Sequence, residues 1–92
     1  MFYVYILVSH LDSSLYTGQT NDLKDRFRKH NLGYIKSTKF KKPYTLGYFE
    51  IFATRKEAMI REWELKKKWN TDRKKKLISD FDPNKIKEIL GL

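Results

Sequence analysis

Glu62 stands where a carboxylate is hard to keep. It falls in the series Ala58, Glu62, Leu65, Trp69, whose spacings place all of these side chains on one face of an α-helix. A carboxylate among apolar neighbours is unfavourable unless a positive charge meets it. Two readings follow. One is a structural ion pair with Arg26 or a lysine. The other is a ligand for Mg²⁺, which often takes only one or two protein carboxylates and keeps several waters. Such an ion polarises a phosphate oxygen and stabilises developing charge. Glu57 and Glu64 compete for the role, but both fall off that face.

Arg26 and His30 are one helical turn apart and flank the apolar anchors Leu23 and Phe27, which directs them toward the rim of a sheet. A guanidinium grips a phosphate through parallel hydrogen bonds, and an imidazole exchanges a proton near neutral pH. The same residues also suit an ordinary amphipathic helix with a bordering arginine and a boundary histidine. Tyr3, Tyr5 and Tyr16 lie in apolar, β-branched runs. A buried phenol needs a polar partner, and near a cation it can act as acid or base. Strand tyrosines are more often core, and whether Tyr5 and Tyr16 share a face depends on a hairpin register that the turn residues do not fix. Gly18 lies inside a strand, which marks either a close approach or a bulge.

The elements that must position these groups read in the order β-β-α-β-α-α-α. Residues 2–9 form a strand buried on both faces. His10 to Ser14 form a turn, and Leu15 to Thr20 a second strand. Thr20, Asn21 and Asp22 offer N-caps for a helix from Leu23 to Leu32, closed by Gly33 in a left-handed conformation. A lysine-rich loop ends at Pro43. Tyr44 to Phe52 is a third strand interrupted by Gly47. Thr54 with Glu57 forms a capping box for a helix to about Trp69. Asn70 to Asp72 restart a basic segment to Ile78, and Asp82-Pro83 opens a last helix with Ile86, Ile89 and Leu90 on its apolar face. The fold class is α+β: a small, largely antiparallel three-stranded sheet flanked by helices. The 92 residues make one domain, with 1–80 as its core and 81–92 as a C-terminal helix.

Composition narrows the function. Twenty Lys and Arg against eleven Asp and Glu give a net charge of +9, which points to a polyanionic partner, nucleic acid foremost. The absence of cysteine excludes disulfides and thiolate metal sites and suits a reducing cytoplasm. The apolar start is too short to span a bilayer and lacks the features of a secretory leader, so no membrane role is expected.

Taken in order, Tyr3-Val4-Tyr5, Tyr16-Thr17-Gly18, Arg26, His30 and Glu62 resemble the GIY-YIG nuclease superfamily, most of all its small, stand-alone bacterial branch. The string Leu15 to Leu23, followed by Arg26 and His30, carries most of the specificity. The resemblance implies a metal-dependent endonuclease that hydrolyses phosphodiester bonds in DNA; branched, nicked or single-stranded structures are candidate substrates among which the sequence does not choose. It gives Tyr5 and Tyr16 the roles of the two motif tyrosines, one of which helps deprotonate water. It gives Arg26 the scissile phosphate and His30 the orientation of a tyrosine. Glu62 would hold a single Mg²⁺ or Mn²⁺ ion. Tyr3-Val4 stands in place of Gly-Ile, and Thr17 in place of Ile. A later polar Asn of the family has no assigned counterpart, since Asn70 follows Glu62 too closely.

Family nucleases commonly carry a second, DNA-selecting domain, for which this length leaves no room. Affinity would then come from the chain's own basic surface, with a protein partner as a further source of specificity. Lys36, Lys39, Lys41 and Lys42 crowd one loop with Tyr34 and Phe40 between them, and Lys66 begins a second cluster that continues to Lys76. Basic groups give affinity without sequence readout, and interleaved aromatics stack on unpaired bases. DNA is the expected partner ahead of RNA. The alternatives are a non-catalytic basic nucleic-acid-binding module that keeps the nuclease fold, and a domain whose basic face meets an acidic protein.

Overall fold

In the computed structural model, which describes residues 1–92, the elements are β1 (Phe2–Ser9), β2 (Leu15–Thr20), α1 (Leu23–Leu32), β3 (Tyr44–Phe52), α2 (Arg55–Lys67), α3 (Thr71–Asp80) and α4 (Pro83–Leu90). The strands form one antiparallel sheet in the order β2–β1–β3. This is the α+β architecture read from the sequence. β1 is central, and its unbroken apolar run is explained by burial on both faces: Val4, Tyr5, Ile6 and Leu7 are each 0% exposed.

Pairing sets Tyr5 opposite Gly18 and Leu7 opposite Tyr16. Side chains alternate between the faces of a sheet, so Tyr3, Tyr5, Leu7, Tyr16 and Gly18 share one face, while Val4, Ile6 and Thr17 take the other. The open question of hairpin register is thereby resolved in favour of a common face for the two phenols. The interruption at Gly47 is a bulge, because Ile6 pairs with Tyr48 but Leu7 with Leu46. Gly47 lies against α3, where a Cβ would stand 3.0 Å from Ile78 Cγ2.

The two faces bury separate cores. On the first, Tyr5, Leu7, Leu46 and Phe49 meet Leu23 of α1, with Ile86, Ile89 and Leu90 of α4 packed alongside. On the second, Val4 and Ile6 meet Ala58 and Leu65 of α2, with Leu77 and Ile78 of α3. α2 starts at Thr54, whose hydroxyl accepts from Glu57 N at 3.2 Å. It ends at Lys67, two residues before the expected Trp69, because Asn70 is extended and caps α3 by accepting from Arg73 N at 2.8 Å. α3 in turn continues past Ile78 to Asp80. No helix is long and apolar enough to cross a membrane.

Candidate active site

The first face of the sheet carries a buried polar chain. Tyr5 Oη lies 2.7 Å from His30 Nε2. His30 Nδ1 lies 2.7 Å from Thr38 Oγ1, and the Thr38 hydroxyl donates to the Ile35 carbonyl at 3.4 Å. The Thr38 hydroxyl reaches the Ile35 carbonyl only at 3.4 Å; in the tautomer where its proton is spent there, Thr38 accepts from Nδ1–H. Nε2 is then the acceptor nitrogen, and the Tyr5 O–H donates to it. Tyr5 and His30 are fully buried and Thr38 nearly so. Burial pushes the Tyr5 phenol far above its usual value; the Arg26 guanidinium offsets part of that rise, and Tyr16 and Glu62 add to it. Burial, reinforced by the charge of Arg26, lowers His30 from 6.5 to about 4. The imidazole is therefore neutral at pH 7.

Local structure holds this chain in place. α1 is capped by Asp22, which accepts from Asp25 N at 3.2 Å, and by Gly33 at φ 81°. Asn31 clamps the end of α1 to the start of β3: its amide donates to Tyr44 O at 3.1 Å and accepts from Tyr44 N at 2.6 Å. Leu23 faces the core, and His30 lies two turns further along the same face. The helical spacing puts His30 at the sheet rim or at the boundary of an amphipathic helix; the side chain is instead at 0% exposure, because the loop carrying Thr38 closes over it. Tyr16 stacks edge-on against the imidazole with ring centroids 5.2 Å apart, and lies 6.4 Å from the Tyr5 ring. Gly18 is required here. A Cβ at that position would come within 2.6 Å of Tyr5 Oη and 3.0 Å of Tyr16 Cε1, and Tyr5 has no space to retreat. Tyr3 does not join the site; it packs on Phe49 with centroids 6.3 Å apart.

Arg26 is partly buried, and its Nε is buried without a hydrogen-bond partner. Buried donors are nearly always paired, so this N–H, beside the phenol it influences, suits an anionic oxygen.

Glu62 approaches from the opposite face, and here the sequence reading needs correction. Ala58 and Leu65 are fully buried, but the Glu62 side chain is 22% exposed and sits at the rim of their stripe. The cause lies one residue earlier. Arg61 Nε donates to both oxygens of Glu50 on β3, at 3.0 and 3.1 Å, and Tyr48 also donates to Glu50. This clamp fixes the rotation of α2 across the sheet, so Arg61 points to β3 while Glu62 emerges along the β2 edge. Glu62 does not meet Arg26 in an ion pair. Its Oε2 lies 3.4 Å from Lys66 Nζ, which itself stands 6.0 Å from the centre of the Tyr16 ring. The carboxylate therefore borders the phenols. No group of three or more His, Asp or Glu gathers anywhere. A lone, partly exposed carboxylate with a loosely held oxygen fits a hard cation that keeps most of its waters, as Mg²⁺ does.

The lysine-rich loop lies over the imidazole side of the site. Lys36, Lys39, Lys41 and Lys42 are all exposed. Their charges are not equally free. Lys41 pairs with Asp12 at 3.0 Å, Lys39 lies over the Phe40 ring at 4.9 Å, and Lys42 runs its stem along Gly33. The loop is tied down by Thr38 and by Ser9, whose hydroxyl donates to Lys41 O at 2.7 Å. Sequence reasoning missed Thr38, Asn31 and the Arg61–Glu50 clamp. A loop has no periodicity to betray a buried threonine, and a long-range hydrogen bond leaves no local pattern.

Two phenols thus share one face of a small antiparallel sheet, α1 brings an imidazole and a guanidinium to them, and a carboxylate stands at the sheet edge. The GIY-YIG catalytic domain matches residues 1–76, and the chain belongs to the GIY-YIG family. Within it, the chain is 46% identical over 79 residues to a UPF0213 protein of Staphylococcus saprophyticus, covering 85% of this chain and 94% of that one. It is 48% identical over 68 residues to a UPF0213 protein of Clostridium perfringens, covering 73% and 72%. The solution NMR structure of a UPF0213 protein from Bacillus halodurans is similar at a TM-score of 0.53 and 38% identity, covering 86% of this chain and 84% of that one. These names state no substrate, metal or pathway.

Proposed function

We propose that the chain is a metal-dependent endonuclease that hydrolyses phosphodiester bonds in DNA. The observation that carries this reading is the buried Tyr5–His30–Thr38 chain, set beside an arginine with an unpartnered N–H. Acting alone, Tyr5 is a poor base, since a phenol with a raised pKa yields almost no phenolate near neutral pH. Coupled to neutral His30 it becomes a relay. Tyr5 is 0% exposed, so the relay requires the site to open over Oη on substrate binding; a water then donates its proton to Tyr5 Oη, the phenolic proton passes to His30 Nε2, and the water oxygen bonds to phosphorus. Thr38 keeps Nδ1–H in place throughout. The low affinity of His30 for a proton then favours its return after the step. Arg26 binds a phosphate oxygen and stabilises the added negative charge. Glu62 is the residue to hold one Mg²⁺ or Mn²⁺ ion, which when bound supplies positive charge to the phosphate and the leaving oxygen. The leaving alkoxide takes its proton from solvent.

The lysines of the 34–42 loop and Lys66 supply affinity for the backbone without reading sequence. The test is cleavage of DNA of several structures in Mg²⁺ or Mn²⁺ against chelator, by wild type and by Glu62→Ala. Metal-dependent cutting that Glu62→Ala abolishes while the circular dichroism spectrum is retained is the expected result. A Glu62→Ala protein that cuts as fast as wild type would falsify the metal assignment. The Glu62–Lys66 contact favours a second reading, a non-catalytic module whose carboxylate is occupied by a lysine. That module binds nucleic acid in a salt-sensitive way and cuts nothing in any metal.

A further inference from the structure

α2 is apolar on two sides, and only one of them is used by the core. Met59, Ile60 and Trp63 are 52%, 53% and 51% exposed. Residues three and four apart are neighbours on a helix, so Met59 and Ile60 both touch the turn of Trp63, and the three make one continuous patch. Lys56 adjoins this patch on one side, and Lys66 and Lys67 on the other; all three lysines are exposed. Lys56 and Lys67 form no ion pair within the protein. Glu62 lies next to Met59 and Lys66 on the same helix, so the patch begins where the site carboxylate ends. Single exposed apolar residues are ordinary, but a cluster of large ones rimmed by cations marks a contact surface.

We propose that this solvent face of α2 is a stacking platform for unpaired nucleobases, so that the strand passing Glu62 is single-stranded there. The inference rests on the nucleic-acid reading above and specifies its substrate class. Charge selects the occupant. A second copy of a chain with net charge +9 would bring lysines against lysines across the contact. A nucleic acid strand satisfies both parts of the surface, with phosphates on Lys56, Lys66 and Lys67 and bases on Trp63 and Met59. A continuous duplex satisfies only the cations, because its bases are already stacked and its edge leaves the indole in water. Lys68 Nζ lies over the Trp63 ring at 5.3 Å, so a base stacking on that side of the indole displaces this exposed lysine, which is then free to meet a phosphate.

The experiment uses the full chain carrying Trp69→Phe, which leaves Trp63 as the sole tryptophan. In chelator, so that cleavage plays no part, it is titrated with an oligothymidylate of about 12 nucleotides, within the usual range of site sizes, and with a blunt duplex of equal length. Quenching of Trp63 fluorescence by the single strand but not by the duplex is expected. In the wild-type background Trp63→Ala weakens single-strand binding about 5- to 150-fold and Trp63→Phe restores most of it, while duplex binding changes less than about twofold. Equal losses on both ligands, or no loss on either, overturn the proposal. So does a self-association or an acidic-protein complex that Trp63→Ala abolishes while single-strand binding persists. The two readings fail separately. Quenching without metal-dependent cleavage ends the nuclease and keeps the platform; cleavage with Trp63-independent binding does the reverse.

Discussion

The two faces of the sheet share a central strand and do opposite work. Tyr3, Tyr5 and Leu7 of β1 point to the face where hydroxyl and imidazole groups replace part of the apolar core. Val4 and Ile6 point to the face where Ala58 and Leu65 close a dry contact. The polar face holds its groups by hydrogen bonds that span 25 residues from Tyr5 to His30 and 8 from His30 to Thr38. The dry face holds α2 by packing and by the Arg61–Glu50 clamp, and its task is to present Glu62 at the β2 edge. The candidate site lies on the face whose buried polar groups are joined by hydrogen bonds, while the other face is closed chiefly by aliphatic packing, with Thr17 as its buried hydroxyl.

Substitutions on the two faces should therefore fail in different ways. The largest effect is expected from Tyr5→Phe, which keeps the ring and removes the relay oxygen: cleavage should fall by about 10²- to 10⁴-fold, while the unpaired His30 Nε2 costs about 1–3 kcal/mol of stability. A steady-state assay beside a thermal melt checks both halves. Leu65→Ala on the dry face should do the converse and cost about 2–5 kcal/mol of stability in urea unfolding. The cleavage rate of the molecules still folded should hardly change. If Leu65→Ala reduces kcat at temperatures well below its melt, the division between the faces is false.

Next in size is the acid response. His30 is neutral when buried and takes a proton more readily in the unfolded chain, so stability should decline as pH falls from about 6.5 to about 4, by at most about 3 kcal/mol. Cleavage should persist through most of that range and fall only toward about pH 4, where the acceptor nitrogen of the folded protein is protonated. Denaturant midpoints measured against pH for wild type and His30→Gln check the sign: the slope should be largely absent from the variant. Gly18→Ala forces its methyl onto Tyr5 Oη and should destabilise by about 1–3 kcal/mol while slowing cleavage. Thr38→Val should have the smallest effect, about tenfold on kcat, with an altered pH profile that Thr38→Ser restores. An unchanged profile in Thr38→Val would reduce that residue to packing.

Much of this was legible in the residues themselves. The strand at 2–9, the capped helix from Leu23 to Gly33 and the start at Thr54 each follow from a pattern contained within a few neighbours, and each formed where expected. Tyr5, Tyr16, Arg26 and His30 were recognisable by type and order. The depth of His30 was not, since it depends on Thr38 arriving from a loop. The exposure of Glu62 was also misjudged, since the helical stripe shows which residues align but not how the helix is rolled.

Sequence alone determined the alternation of elements, the basic charge and the types of the side chains that gather on the first face, because propensity, capping and composition are local properties. The tertiary structure decided the hairpin register that joins the two phenols, the burial of the imidazole and the edge at which the carboxylate emerges. Each of those depends on contacts between segments far apart in the chain, where a shift of one residue or a fraction of a helical turn reverses the outcome.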